Sequence, residues 1–143
     1  MIVATQRAGV PAAAVVPEHW AEFYAVSGVP AALRVGDTIY VTGHDGEELD
    51  HSYAIDVKAQ IRRTFVTLEE TLAEAGAGLS DVVELHSYHV GLQAQKEQLL
   101  AVATEFLAAP FPAWTAVGVA ELYDEASVVE ISCTALVRRA SGA

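Results

Sequence analysis

The chain has 143 residues, 52% of them hydrophobic and 19% charged, with a formal net charge of −11. That length suits one domain with a substantial core, and so apolar a composition excludes a disordered chain. The negative field disfavours nucleic acid and anionic membrane surfaces as partners, and the only adjacent basic pairs are Arg62-Arg63 and Arg138-Arg139.

The apolar surplus hints at a buried interface between subunits. One cysteine, Cys133, leaves no intrachain disulfide and suits a reducing compartment. The first residues lack a basic stretch followed by a long apolar run, and no run reaches the length of a membrane span. The expected location is therefore the cytoplasm.

In chain order, a first strand is expected at Ile2–Arg7, followed by an irregular segment punctuated by Pro11, Pro17 and Pro30. Leu33-Arg34-Val35, Gly36-Asp37 and Thr38-Ile39-Tyr40-Val41-Thr42 read as a hairpin, and Gly43-His44-Asp45-Gly46 as the loop that ends it. Asp56 is placed to cap a helix whose apolar stripe is Val57, Ile61, Phe65, Leu68, Leu72 and Ala75, ended by Gly76 and Gly78. Residues 82–90 form a strand with Val83, Leu85, Ser87 and His89 on one face and Val82, Glu84, His86, Tyr88 and Val90 on the other. A second helix is expected at residues 95–107, burying Leu99, Leu100, Ala103, Phe106 and Leu107; Pro110 and Pro112 prevent its continuation. Strands at 115–120 and 127–138 flank an acidic turn, Tyr123-Asp124-Glu125. The order is β-β-β-α-β-α-β-β, an α+β domain in which two helices cover one face of the sheet. The other face is left polar or covered by partners.

Several of these segments resemble a known family. Arg34-Val35-Gly36-Asp37-Thr38-Ile39-Tyr40-Val41-Thr42-Gly43 resembles the first hairpin of the Rid (reactive intermediate deaminase, YjgF-like) superfamily. Ala75-Gly76-Ala77-Gly78-Leu79-Ser80-Asp81-Val82-Val83 resembles its helix-to-strand connection. Phe111-Pro112-Ala113-Trp114-Thr115-Ala116-Val117-Gly118-Val119 and Val129-Glu130-Ile131 resemble its C-terminal signature. The resemblance implies a chorismate-mutase-like mixed sheet with two helices on one face. It also implies a homotrimer with clefts between subunits, and cofactor-free hydrolysis of imines or enamines to a keto acid and ammonia.

One position departs from that chemistry. Active deaminases of the family carry an arginine after the signature Pro-Ala, which grips the substrate carboxylate. Here that position is Trp114, as in the YjgH-type branch that the chain resembles. The family's cleft cysteine aligns with Ala116, and its cleft tyrosine falls near Val29. Arg34 is the only arginine near the first hairpin that could substitute.

The candidates are weighed on these grounds. Trp114 is either a packed aromatic or a cleft wall that favours a neutral or cationic planar ligand. Glu130 is either a solvated strand residue or a base, or an anchor for a catalytic water. His44 follows a glycine at a strand end and is either a surface histidine or a proton-exchanging group. Thr42, Gly43, Tyr88 and His89 are placed at the cleft by the resemblance. His86 and His89 face opposite ways and cannot chelate one metal, and no phosphate loop is present, so neither metal nor cofactor is expected. The expected partners are a small-molecule ligand and further copies of the chain. A non-catalytic ligand-binding trimer is the alternative, and the charge disfavours a ribonuclease. Residues 19–29 are the segment expected to cap the cleft.

Overall fold

The computed structural model describes residues 1–137, so Arg138 and the end of the last expected strand lie outside the described residues. The chain opens with a hairpin of β1 (Ile2–Arg7) and β2 (Val10–Val15). Its turn residues, Ala8 and Gly9, have φ of 49° and 77°, the left-handed backbone that two-residue hairpins use. β2 replaces the expected irregular segment. Its Pro11 and alanines carry little strand signal, and Pro11 is tolerated because only residues 13–15 pair with the following strand. A 3-10 turn (Glu18–Trp20) leads into a short helix, α1 (Ala21–Ser27), so the expected two helices become three.

β3 (Ala32–Val35) and β4 (Thr38–Asp45) form the expected hairpin. β4 runs on through the expected loop, however, because it pairs with β7 (Val129–Leu136) on both sides of a bulge between Val41 and His44. Such a bulge inserts residues without ending the ladder, and here it leaves both Val41 and His44 buried.

α2 (Val57–Glu74) is capped as expected, with Asp56 Oδ2 accepting the Ala59 N–H at 3.2 Å. Its stripe of Ile61, Phe65, Leu68 and Leu72 is fully buried. Gly76, at φ 87°, ends it while the Ala77 amide bonds the Leu72 carbonyl. β5 (Val82–His89) carries a register shift between Val82 and Glu84, which buries Val82 and exposes Val83, the reverse of strict alternation. α3 (Leu92–Phe106) buries Gln95, Leu99, Val102 and Ala103; Leu100 is 56% exposed, and Val102 holds the inward position. β6 (Ala113–Gly118) begins two residues ahead of the expected start and runs parallel to β5, with α3 as the crossover that a parallel pair requires.

The strands form one seven-stranded mixed sheet in the order β1-β2-β3-β4-β7-β5-β6. α2 and α3 pack on one face, where Phe65 and Phe106 stack at 5.2 Å and the Arg62 guanidinium forks onto both Glu105 oxygens at 2.9 Å. Ile39, Val41, Leu85, Val129, Ile131, Cys133 and Ala135 meet them from the sheet. Burying a side chain of this size stabilises the fold by about 2 kcal/mol. Burial also pushes the Cys133 thiol up to about 12, which leaves it an inert packing group. The opposite face has no helix on it among the described residues and presents Tyr40, Val117 and Leu136 to solvent.

Candidate functional site

The sheet divides the candidate residues into two groups. On the open face, Glu130 of β7 lies between Asp45 of β4 and Tyr88 of β5, its direct partners across the two ladders. The Glu130 carboxyl lies across Gly43, where a Cβ would stand 2.7 Å from its Cδ. Only glycine permits this approach, so the Thr42-Gly43 step of the bulge shapes the floor beneath the carboxyl. Glu130 is half-buried and accepts no hydrogen bond from a described residue. Burial, with a smaller contribution from the Asp45 charge, pushes its carboxyl above the ordinary range. Thr42 lies at the same bulge, but its hydroxyl donates to the Pro30 carbonyl at 2.7 Å, leaving only acceptor capacity.

Asp45 was not among the residues picked from sequence, where it read as part of a loop. Its Oδ2 accepts from the Tyr53 hydroxyl at 2.8 Å and its Oδ1 from the Glu47 amide at 3.1 Å. Burial raises this carboxyl too, and hydrogen bonding from Tyr53, the Glu47 amide and Ser127 opposes that shift. The signal that finds Asp45 is its register with Glu130, which appears only once the bulge is known.

The second group faces the helices. Trp114 pairs in register with Leu85 and packs against the core, and its indole N–H donates to Ser87 Oγ at 2.8 Å. Ser87 and His89 are fully buried. His89 Nδ1 lies 2.8 Å from Gln95 Oε1, while the Gln95 amide donates to the Val90 and Val128 carbonyls. Gln95 Oε1 can only accept, so the proton of neutral His89 is on Nδ1, and Nε2 accepts from the Ser87 hydroxyl at 2.8 Å. Desolvation keeps this imidazole neutral by lowering its pKa. Every member of the chain Trp114–Ser87–His89–Gln95 is thereby satisfied. Ala116 lies on the same side of β6, exposed where the helices do not reach.

His44 also faces the helices. Its Nδ1 donates to the Thr42 carbonyl at 2.5 Å and its Nε2 accepts from the Thr71 hydroxyl at 2.8 Å. Its ring stacks on Trp20 at 4.7 Å. Burial pushes its pKa down to about 4, so the ring does not exchange protons near neutral pH as a loop histidine would. Within one protomer His44 and Glu130 occupy opposite faces, and Trp114 and Glu130 likewise.

The segment at residues 19–29 touches two loops, while its Trp20 ring stacks on His44 from the helix side. Phe23 meets Tyr123 edge-on at 5.8 Å, and Glu22 lies 3.6 Å from His51. Arg34 turns elsewhere: its guanidinium donates to the Ala75 and Gly36 carbonyls at 3.2 Å, at the C-terminal end of α2. Surface depressions of about 400 and 450 Å³ lie at Phe106–Pro112 and beside Ile2, Arg34 and Gly76, away from Glu130, Trp114 and His44.

With the hairpin, the bulge at Gly43 and the Pro-Ala-Trp start of β6 in place, residues 21–137 match the endoribonuclease L-PSP family. The chain belongs to that family, the Rid or YjgF-like proteins. The RutC family protein YjgH of Escherichia coli (strain K12) is 38% identical over 107 residues, covering 74% of this chain and 82% of that one. A 2-iminobutanoate/2-iminopropanoate deaminase of Dermatophagoides farinae is 29% identical over 99 residues, covering 68% and 77%. A solved structure of YjgH superimposes with a TM-score of 0.79 at 35% identity, over 88% of this chain and 96% of that one. The Rid match begins at Ala21, so the β1–β2 hairpin precedes it.

Proposed function

We propose that this Rid-family protein acts on a small reactive imine, enamine or carbonyl metabolite in a cleft between the subunits of a homotrimer. The observation that carries the proposal is Glu130: a half-buried carboxyl, without a donor among the described residues, laid across a glycine that permits its approach. A carboxyl raised above its ordinary range is suited to give and take a proton. In imine hydrolysis water adds to the C=N carbon, the C–N bond then breaks, and the products are a carbonyl compound and ammonia. The open face supplies Glu130, Gly43, Thr42 and Tyr88 to this site. Trp114 and Ala116 would form its other wall from a neighbouring subunit, while the fully buried His89 and His44 support it from the helix side.

The substrate is not a standard 2-imino acid. Trp114 replaces the arginine that grips the carboxylate in the deaminases, and Arg34 is engaged at the end of α2. Little or no ammonia is expected from 2-iminobutyrate or 2-aminoacrylate generated in situ, whereas an imine lacking a carboxylate is expected to turn over. Glu130→Gln is expected to lower that turnover at least about a hundredfold, the scale of acid–base catalysis, with the assembly intact. Wild-type rates in this variant would sink the role. Robust 2-iminobutyrate deamination would show that another group grips the carboxylate.

A second reading, a ligand-binding trimer without catalysis, is favoured by the same arginine-to-tryptophan change. Titration calorimetry with small aromatic and cationic metabolites separates the two, since a binder saturates without turnover. The net charge of −11 argues against the ribonuclease activity that the family's description names.

A further inference from the structure

Asp45 and Glu130 are register partners on adjacent antiparallel strands. Opposed side chains in such a pair have Cβ atoms about 5 Å apart, so two carboxyls on one half-buried face cannot be treated as independent acids. Their surroundings are unequal. Asp45 has a donor on each oxygen, the Tyr53 hydroxyl and the Glu47 amide. Glu130 has none among the described residues, and its freedom is limited by the Gly43 backbone beneath it. Hydrogen-bond donors favour the ionised form of the acid that receives them. When the pair holds one proton, the charge therefore settles on Asp45 and the proton on Glu130.

We propose that Asp45, fixed by Tyr53, is a positioning residue that favours the protonated form of Glu130, so that Glu130 enters the reaction as a proton donor. This rests on Glu130 being the proton-moving group of the site. On the same face the other titratable groups are Tyr40 of β4 and Tyr88, His86 and Glu84 of β5, with Glu47, Tyr53 and Asp124 in the flanking loops; His44, His89 and Cys133 are buried on the helix side. No described lysine or arginine pairs with either carboxyl, so no local cation offsets the Asp45 charge.

The consequence for an imine is specific. When the carbinolamine collapses, the C–N bond breaks, its electron pair leaves with nitrogen, and nitrogen takes the Glu130 proton as ammonia forms. The carbinolamine hydroxyl proton returns to the Glu130 carboxylate as the C=O bond forms. Atoms and charge balance without a further reagent. Because the pair keeps one negative charge, it favours a neutral or cationic substrate, in keeping with the absence of the carboxylate-gripping arginine.

The test reads the carboxyl itself, without substrate. Carbon-13 NMR titration of the full chain, with Glu130 assigned by the signal lost in Glu130→Gln, is expected to show Glu130 titrating above the ordinary glutamate value of about 4.3. In Asp45→Asn its midpoint is expected to fall by about one pH unit or more, a tenfold change in proton affinity. In Tyr53→Phe the Asp45 titration is expected to rise toward that of Glu130, which tests the coupling even if Asp45→Asn does not fold. An unchanged Glu130 midpoint in Asp45→Asn, or an unchanged Asp45 titration in Tyr53→Phe, would overturn the assignment while leaving the catalytic role of Glu130 open. Full turnover in Glu130→Gln would overturn the functional proposal and leave the titration result standing.

Discussion

His44 and His89 are both buried, both neutral and both fully hydrogen-bonded, so each makes stability depend on pH. The sign follows from the shift. The folded pKa of His44, about 4, lies below its unfolded value of 6.5. Its contribution is fully present above the unfolded value and is lost as pH falls toward the folded one, because only the unfolded chain then takes up the proton. The spread corresponds to about 3 kcal/mol of stability. Urea unfolding at pH 7, 5.5 and 4 is expected to show that loss in the wild type and a smaller one in His44→Gln, which has no imidazole to protonate. Equal losses in the two proteins would show that His44 does not carry the effect. Asp45 and Glu130, whose carboxyls are raised, act in the opposite direction, so the comparison of variants isolates the histidine.

At the scale of elements, two glycines of the β4 region meet different kinds of neighbour. A Cβ at Gly43 would stand 2.7 Å from Glu130 Cδ, the end of a side chain that can swing aside. A Cβ at Gly46 would stand 2.7 Å from the Gln60 carbonyl oxygen, which belongs to the α2 backbone. The contrast predicts opposite phenotypes. Gly43→Ala is expected to keep most of its stability and lose turnover, because it displaces the Glu130 carboxyl. Gly46→Ala is expected to lose about 2 kcal/mol by overpacking, since a helix yields less than a side chain. Thermal melts and turnover measured side by side check both; a Gly43→Ala protein with full activity would count against the placement of Glu130. Gln60 also holds this region together. Its amide donates to the Ala54 and Ala126 carbonyls, and its Oε1 accepts from the Val128 amide, tying the loops after β4 and before β7 to α2.

For the whole molecule, the open sheet face sets the expectation. Tyr40, Val117 and Leu136 are each at least 39% exposed on a face that carries no helix among the described residues. An exposed apolar face of this kind points to association, and the proposed homotrimer would cover it. Light scattering after gel filtration is expected to give about three times the chain's 15.1 kDa. Leu136→Glu is expected to shift that mass toward the monomer, with turnover falling in parallel if the cleft needs two subunits. A stable monomer with full activity would sink the inter-subunit site. No helix among the described residues is long and apolar enough to cross a membrane.

Much of this fold was legible because local physics and tertiary packing agree. The stripe from Ile61 to Leu72, the Asp56 cap, the glycine stop at Gly76 and the β3–β4 hairpin each follow from short-range spacing, and the structure keeps all of them. The family signature was legible for a similar reason, since Gly43 and Pro112-Ala113-Trp114 lie in contiguous segments. β2 was not legible, because its alanines and proline become a strand only between two neighbours that pair with it. Nor were the faces of the site residues. Alternation assigns faces correctly until a bulge intervenes, and bulges in β4 and β5 turn His44 inward, set Asp45 beside Glu130 and exchange Val82 with Val83. The sequence alone pointed to Glu130, Trp114 and His44 as candidates. Only the tertiary structure decided which of them meet, because a side chain's face depends on the register of its whole ladder.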